Sequence, residues 1–166
     1  MQIEYQQYLL SPKNFMNKRL KLSLILLAAL GSFTSPLIAR ANFEGNLNVE
    51  IDGLKNTQGQ VCASIFASSQ GFPADRDRVL QRQCTKITDT SVKLTFKNLK
   101  AGNYAVAVMH DENDDFMVNR SDLGFPLEGF GFSQNPEIID RAPKFEEAAV
   151  LVAGANTDIK IQLKYL

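Results

Sequence analysis

The chain has no tryptophan, four tyrosines, one histidine and two cysteines among its 166 residues. Each scarcity speaks against a class of function. Sugar-stacking platforms need large flat aromatic rings, and a chain without Trp and with few Tyr offers little for one. A zinc site draws on several His and Cys ligands, which this set does not supply. No Cys-x-x-Cys pair is present, so thiol–disulfide exchange catalysis has no dithiol to work with. Net charge is absent too, with 18 basic and 18 acidic side chains. The balance conceals an asymmetry. Residues 1–41 carry five basic side chains and one acidic, a net of +4, and the remainder carries 13 basic and 17 acidic, a net of −4. No basic patch with interleaved aromatics stands in the acidic part, which speaks against nucleic acid as a partner.

Long hydrophobic runs are also missing. The longest, Leu22–Leu30, is too short for a membrane-spanning helix of about 20 apolar residues and is followed by Gly31, Ser32, Thr34, Ser35 and Pro36. It is preceded by Lys18, Arg19 and Lys21 and followed by Ala39-Arg40-Ala41. A positive segment, a short apolar segment and a small-x-small site form the pattern of a secretory signal peptide. Residues 1–41 are therefore expected to be a helical signal peptide, with Met16 its natural start, cut before Asn42. Residues 42–166 are expected to be one domain in the periplasm or outside the cell, with no transmembrane anchor left after processing and any partner belonging to the cell envelope. In such a compartment Cys62 and Cys84 are expected to form a disulfide. The closed loop would be worth about 3 kcal/mol by the chain-entropy argument.

What the remaining sequence has in quantity is alternation. Phe43–Leu54, Gln60–Ser68, Ser91–Phe96, Asn103–His110, Ala148–Val152 and Asp158–Leu163 read as strands, with Cys84–Thr88 a shorter one and a helical turn near Asp77–Gln81. The most apolar, Asn103–His110, is expected to be central. About seven short strands predict an all-β fold, an Ig-like or transthyretin-like β-sandwich. Leu99–Tyr104 reads Leu-x-x-Gly-x-Tyr. Gly102 and Tyr104 are expected to build a tyrosine corner, in which the hydroxyl folds back onto upstream backbone. The exception to alternation is 111–141, expected to be one long ordered loop, because it contains many Phe and Leu.

Three groups in or beside that loop could carry chemistry. Asp111, Asn113, Asp115, Asn119 and Asp122 fall in an EF-hand-like register of oxygen ligands, so calcium is the one cofactor the sequence suggests. Against it, Phe116 sits where the sharp turn of such loops takes Gly, and an Asx-rich turn would use the same residues to cap its own backbone. His110 beside Asp111 could orient a base toward Ser121 or Ser133, but no nucleophile-elbow motif accompanies them, and a satisfied strand-end histidine explains it equally. Gly124–Ser133 alternates glycine with aromatics. Its Glu128, Phe130 and Phe132, with His110, either form a binding loop or pack on the sandwich.

The stretches 99–115 (LKAGNYAVAVMHDENDD), 123–135 (LGFPLEGFGFSQN) and 142–150 (APKFEEAAV) resemble a bacterial family known as domain of unknown function 2141. The resemblance implies an exported β-sandwich and assigns no activity. In that family the acidic loop continues Asn-Gly and then Lys-Leu-Asp. Here it runs Asp114-Asp115-Phe116-Met117-Val118-Asn119. The expectation that follows is a non-enzymatic binding or structural module of the envelope or exterior. A calcium-dependent adhesion or carbohydrate-binding module and a hydrolase using His110 and Asp111 stand as alternatives.

Overall fold

The computed structural model describes residues 44–166, so the expected signal peptide, its start at Met16 and its cleavage before Asn42 lie outside the described residues. Alternation becomes strands where it was expected: β1 (Glu44–Asp52), β2 (Gln60–Phe66), β3 (Gln81–Lys86), β4 (Val92–Lys100), β5 (Gly102–Asp111), β7 (Ala149–Val152) and β8 (Asn156–Gln162). Two elements were not expected. One is β6 (Phe130–Phe132), three residues inside the long loop, and the other is the one-turn helix α1 (Phe145–Ala148).

The strands form two sheets. One has the order β4-β1-β8, with β1 antiparallel to β4 and parallel to β8. The other runs β3-β2-β5, and the far edge of β5 is shared end to end by β7 and β6. β5 is thus central, as its apolar sequence predicts. The inward residues of both sheets make one core: Leu47, Val49 and Phe96 from the first meet Val61, Ile65 and Val106 from the second. The result is a β-sandwich. A bulge keeps β4 in phase. Asn98 adopts φ 57°, and the pairing slips so that Leu99 as well as Phe96 faces inward.

Two devices tie the sandwich together. Tyr104 Oη donates to the Lys100 carbonyl at 2.8 Å, the expected tyrosine corner. Gly102 contributes no steric necessity there, since a Cβ would make only ordinary contacts, the nearest with the Tyr104 ring at 3.8 Å. At the other edge, Gln81 and Gln83 of β3 donate to the Lys97 and Thr95 carbonyls of β4 at 3.1 and 2.8 Å. They cover an edge that would otherwise stay unpaired. Cys62 and Cys84 stand directly opposite in the β2–β3 ladder, with Cα atoms 4.1 Å apart, and form the expected disulfide. No helix among the described residues is long and apolar enough to cross a membrane.

Alternation also gives the β3-β2-β5 sheet an outer face. Cys62, Ser64 and Phe66 of β2 and Ala107 and Met109 of β5 point away from the main core. At one end this face is covered by a second cluster, in which Phe72 packs edge-on against Phe66, Phe132 and Phe145. The rest of it is the floor of a groove.

Candidate functional site

His110 and Asp111 are consecutive residues of a strand, so they face opposite sides of the sheet. His110 is fully buried on the core side. Its Nε2 lies 2.8 Å from the Gln58 carbonyl, which can only accept, so Nε2 carries the proton. Nδ1 then accepts from the Tyr165 hydroxyl at 2.7 Å. That hydroxyl also accepts from the Lys55 amide at 3.1 Å, and burial pushes the phenol's pKa up. Glu112 lies 3.8 Å from Nδ1, beyond hydrogen-bond reach. Both ring nitrogens are engaged. Ser133 is buried, accepting from the Val106 amide and donating to the Ala148 carbonyl, and Ser121 accepts from the Phe125 amide. The His–Asp–Ser arrangement considered for a hydrolase is not assembled, because alternation separates its first two members.

Asp111 is fully buried on the outer side and organises the acidic loop. Its Oδ1 accepts from the Asp115 amide at 3.1 Å, and its Oδ2 accepts from the Phe116 amide at 3.0 Å and from Gln60 Nε2 at 2.9 Å. Asp115 Oδ2 receives the side-chain amides of Asn113 and Asn119 at 2.9 and 3.1 Å. Its Oδ1 receives the Met117 amide at 2.7 Å, and that bond, followed by the Asn113 one, holds its carboxyl below the ordinary range. Four of the five expected oxygen ligands thus gather in one turn, while Asp122 makes no hydrogen bond there. Among the described residues no group of three or more His, Cys, Asp or Glu gathers as metal ligands.

Glu128 has a role that sequence reasoning missed. Its carboxylate is buried and clamps both ends of the loop, taking the Glu112 amide at 3.0 Å and the Asn119 amide at 3.1 Å. No local pattern announces a contact between residues so far apart. The glycines around it are explained by packing. A Cβ at Gly129 would overlap the Tyr165 ring, and one at Gly131 would stand 2.7 Å from Ile161 Cγ2. The glycine–aromatic alternation therefore presses β6 against the core and turns Phe130 and Phe132 to the outer face.

Those two rings help form the groove, which encloses about 670 Å³. This lies within the roughly 300–1,000 Å³ usual for small-molecule sites. Its floor is Ser64, Ala107, Met109 and the Cys62 side of the disulfide. One wall is the loop itself, with Phe116, Met117 and Phe125. Many of the loop's apolar side chains do not pack inward. Phe132 is buried, but Leu123 is 83 % exposed and Ile139, beyond β6, 82 %. The Asp111 and Glu128 clamps spend the loop's polar groups on its own backbone, so its apolar side chains are left to project outward. Phe116 has φ 62°, a left-handed conformation strained for an aromatic residue. It is held there by the Asp111 carboxylate on its amide and by Arg76 and Arg82 on its carbonyl.

No curated protein and no solved structure matches the chain. A family profile described as uncharacterized protein conserved in bacteria matches residues 49–160, which cover every strand from within β1 into β8. The acidic loop and every groove residue but Leu166 lie within the matched span, and the chain therefore belongs to that family, DUF2141.

Proposed function

We propose that the processed protein is a non-enzymatic binding module acting outside the cytoplasm, in the periplasm or beyond it, and that the outer groove holds an apolar small molecule. One observation carries this reading: a groove of about 670 Å³ whose floor and walls are mostly apolar, rimmed by large hydrophobic side chains that remain exposed. Exposed apolar surface gathered around a concavity marks interaction sites. The disulfide and the export pattern of residues 18–41 support the compartment. Intact mass of protein exported by a bacterial host should correspond to a chain beginning at Asn42.

A neutral solvatochromic dye, Nile red, tests the groove. Saturable binding at one dye per chain is expected, with loss of binding in Met109→Asp and Met117→Asp variants that melt as cooperatively as the parent. Binding unchanged in both variants would refute the reading.

Calcium on Asp111, Asn113, Asp115 and Asn119 is a second reading, favoured by the convergence of these four side chains. Three of their carboxylate oxygens already accept backbone amides, which weighs against it. Thermal melts in millimolar calcium and in chelator decide between them. A rise with calcium that disappears in Asp111→Ala supports the ion, and superimposable curves support a self-capped turn.

A further inference from the structure

The groove is not uniformly apolar. Four arginines line it, Arg76, Arg82, Arg120 and Arg141, against one acidic side chain, Asp140. Arg141 is neutralised by a bidentate pair with Glu147, both bonds 2.8 Å. Arg120 donates to the Gly124 carbonyl of its own turn at 2.8 Å. Arg76 and Arg82 differ. They converge on a single neutral acceptor, the Phe116 carbonyl, and neither enters an ion pair among the described residues. Arg82 also lies over the Phe116 ring, 5.9 Å from its centroid.

Two guanidiniums that share one neutral acceptor, with no carboxylate in ion-pair contact among the described residues, are in an unfavourable position. Burial lowers the pKa of Arg82 first and the charge of Arg76 lowers it further, with Asp111 opposing. Arg82 Nε is buried and finds no acceptor among the described residues. A buried donor without a partner is uncommon in a folded protein and calls for an explanation. A neutral carbonyl offers neither the charge nor the number of lone pairs that two guanidinium forks require. An anionic oxygen pair offers both, because carboxylates match the guanidinium fork.

Building on the groove reading above, we propose that the ligand is a single-chain fatty carboxylate, with its alkyl chain along the Ala107–Met109 floor and its head group on Arg76 and Arg82. Charge complementarity selects this occupant over a neutral apolar molecule. The wall explains why both features share one cavity. Phe116 turns its carbonyl to the arginines and its ring to the groove, so the strained residue joins the cationic end to the apolar channel.

Displacement of Nile red from the purified protein at pH 7, below micellar concentrations, tests the head group. Dodecanoate is expected to displace the dye at a concentration about tenfold lower than dodecanol, the gain of a charge-assisted hydrogen bond. Dodecyltrimethylammonium is expected to be weaker than either. In Arg76→Gln/Arg82→Gln the dye should still bind and the preference for dodecanoate should vanish. Equal potency of dodecanoate and dodecanol on the parent protein overturns the proposal, as does a preference that survives the double substitution. Should the double variant not fold, the order of the three ligands on the parent protein decides alone. A concentration-dependent dimer that Phe125→Asp dissociates, with no effect of dodecanoate, would assign the groove to a second copy and also overturn it. Failure of Nile red to bind the parent protein is a different result, because it removes the groove reading itself.

Discussion

Removing the buried ring of His110 would take away the partner of the Gln58 carbonyl and of the Tyr165 O–H, two part-buried hydrogen bonds at once. An unsatisfied buried polar group costs about 1–3 kcal/mol, and the lost ring leaves a cavity besides. His110→Ala is therefore expected to destabilise the domain by about 3–4 kcal/mol while Nile red affinity of the folded fraction stays the same, measured by urea unfolding and dye titration. A loss of dye binding without loss of stability would contradict its placement on the core side. Glu147 makes a different residue-scale case because it is exposed. The two Arg141 bonds, then the Lys144 amide, hold its carboxyl down to about 2 from an ordinary 4.5. A carboxyl whose pKa is lower in the folded chain stabilises fully above the unfolded value. That contribution is thus complete above pH 4.5 and lost as pH falls toward 2. An NMR titration of the Glu147 carboxyl should show a midpoint near 2 that returns toward 4.5 in Arg141→Ala. A parent midpoint near 4.5 would mean that the pair does not persist in solution.

At the scale of elements, every strand of four or more residues was legible in the sequence, and β6 and α1 were not. Alternation of Val92, Leu94 and Phe96 reports burial directly, and the bulge at Asn98 that follows does not disturb it. β6 has three residues with a glycine at its centre, too few for any period to register, and α1 has four. Their existence depends on contacts from distant parts of the chain: Tyr165 and Ile161 for β6, and the Ser133 hydroxyl on the Ala148 carbonyl for α1. The acidic loop was half legible. Its spacing announced a turn built on Asp111, Asn113 and Asp115, but not the clamp by Glu128. That clamp gives a prediction. Glu128→Ala should leave the Glu112 and Asn119 amides without acceptors and release the loop between them. Hydrogen exchange over 112–119 is expected to quicken severalfold with β1 and β4 unaffected, at a stability cost of about 2 kcal/mol. Unchanged exchange would mean that Asp111 alone holds the loop.

Across the whole molecule, the disulfide links what was legible to what was not. Pairing Cys62 with Cys84 sets the register of β3 on β2, and that register places Ser64 opposite Arg82. Period-2 alternation then puts Arg82 on the outer face with Cys62, so the cationic end of the groove was within reach of the sequence once the bridge was accepted. Arg76 was not, because it precedes β3 in a one-turn 3₁₀ segment whose path is set by Gly71 and Asp75. β3 is an edge strand, hydrogen-bonded along its backbone to β2 alone, with Gln81 and Gln83 its side-chain ties to the opposite sheet. Cys62→Ser/Cys84→Ser should therefore act unevenly. Global stability is expected to fall by about 3 kcal/mol, the entropy of the opened loop. Hydrogen exchange should rise most over β3, less over β2, and least over the β4-β1-β8 sheet. A looser β3 also lets Arg82 drift from the Phe116 carbonyl. The double variant changes the floor at Cys62 but leaves Ala107 and Met109 of β5 in place. It should accordingly keep most of its Nile red binding and lose part of the discrimination between dodecanoate and dodecanol. Exchange that rose uniformly, or discrimination that survived with β3 demonstrably loosened, would show that the bridge stabilises the domain without positioning the arginine.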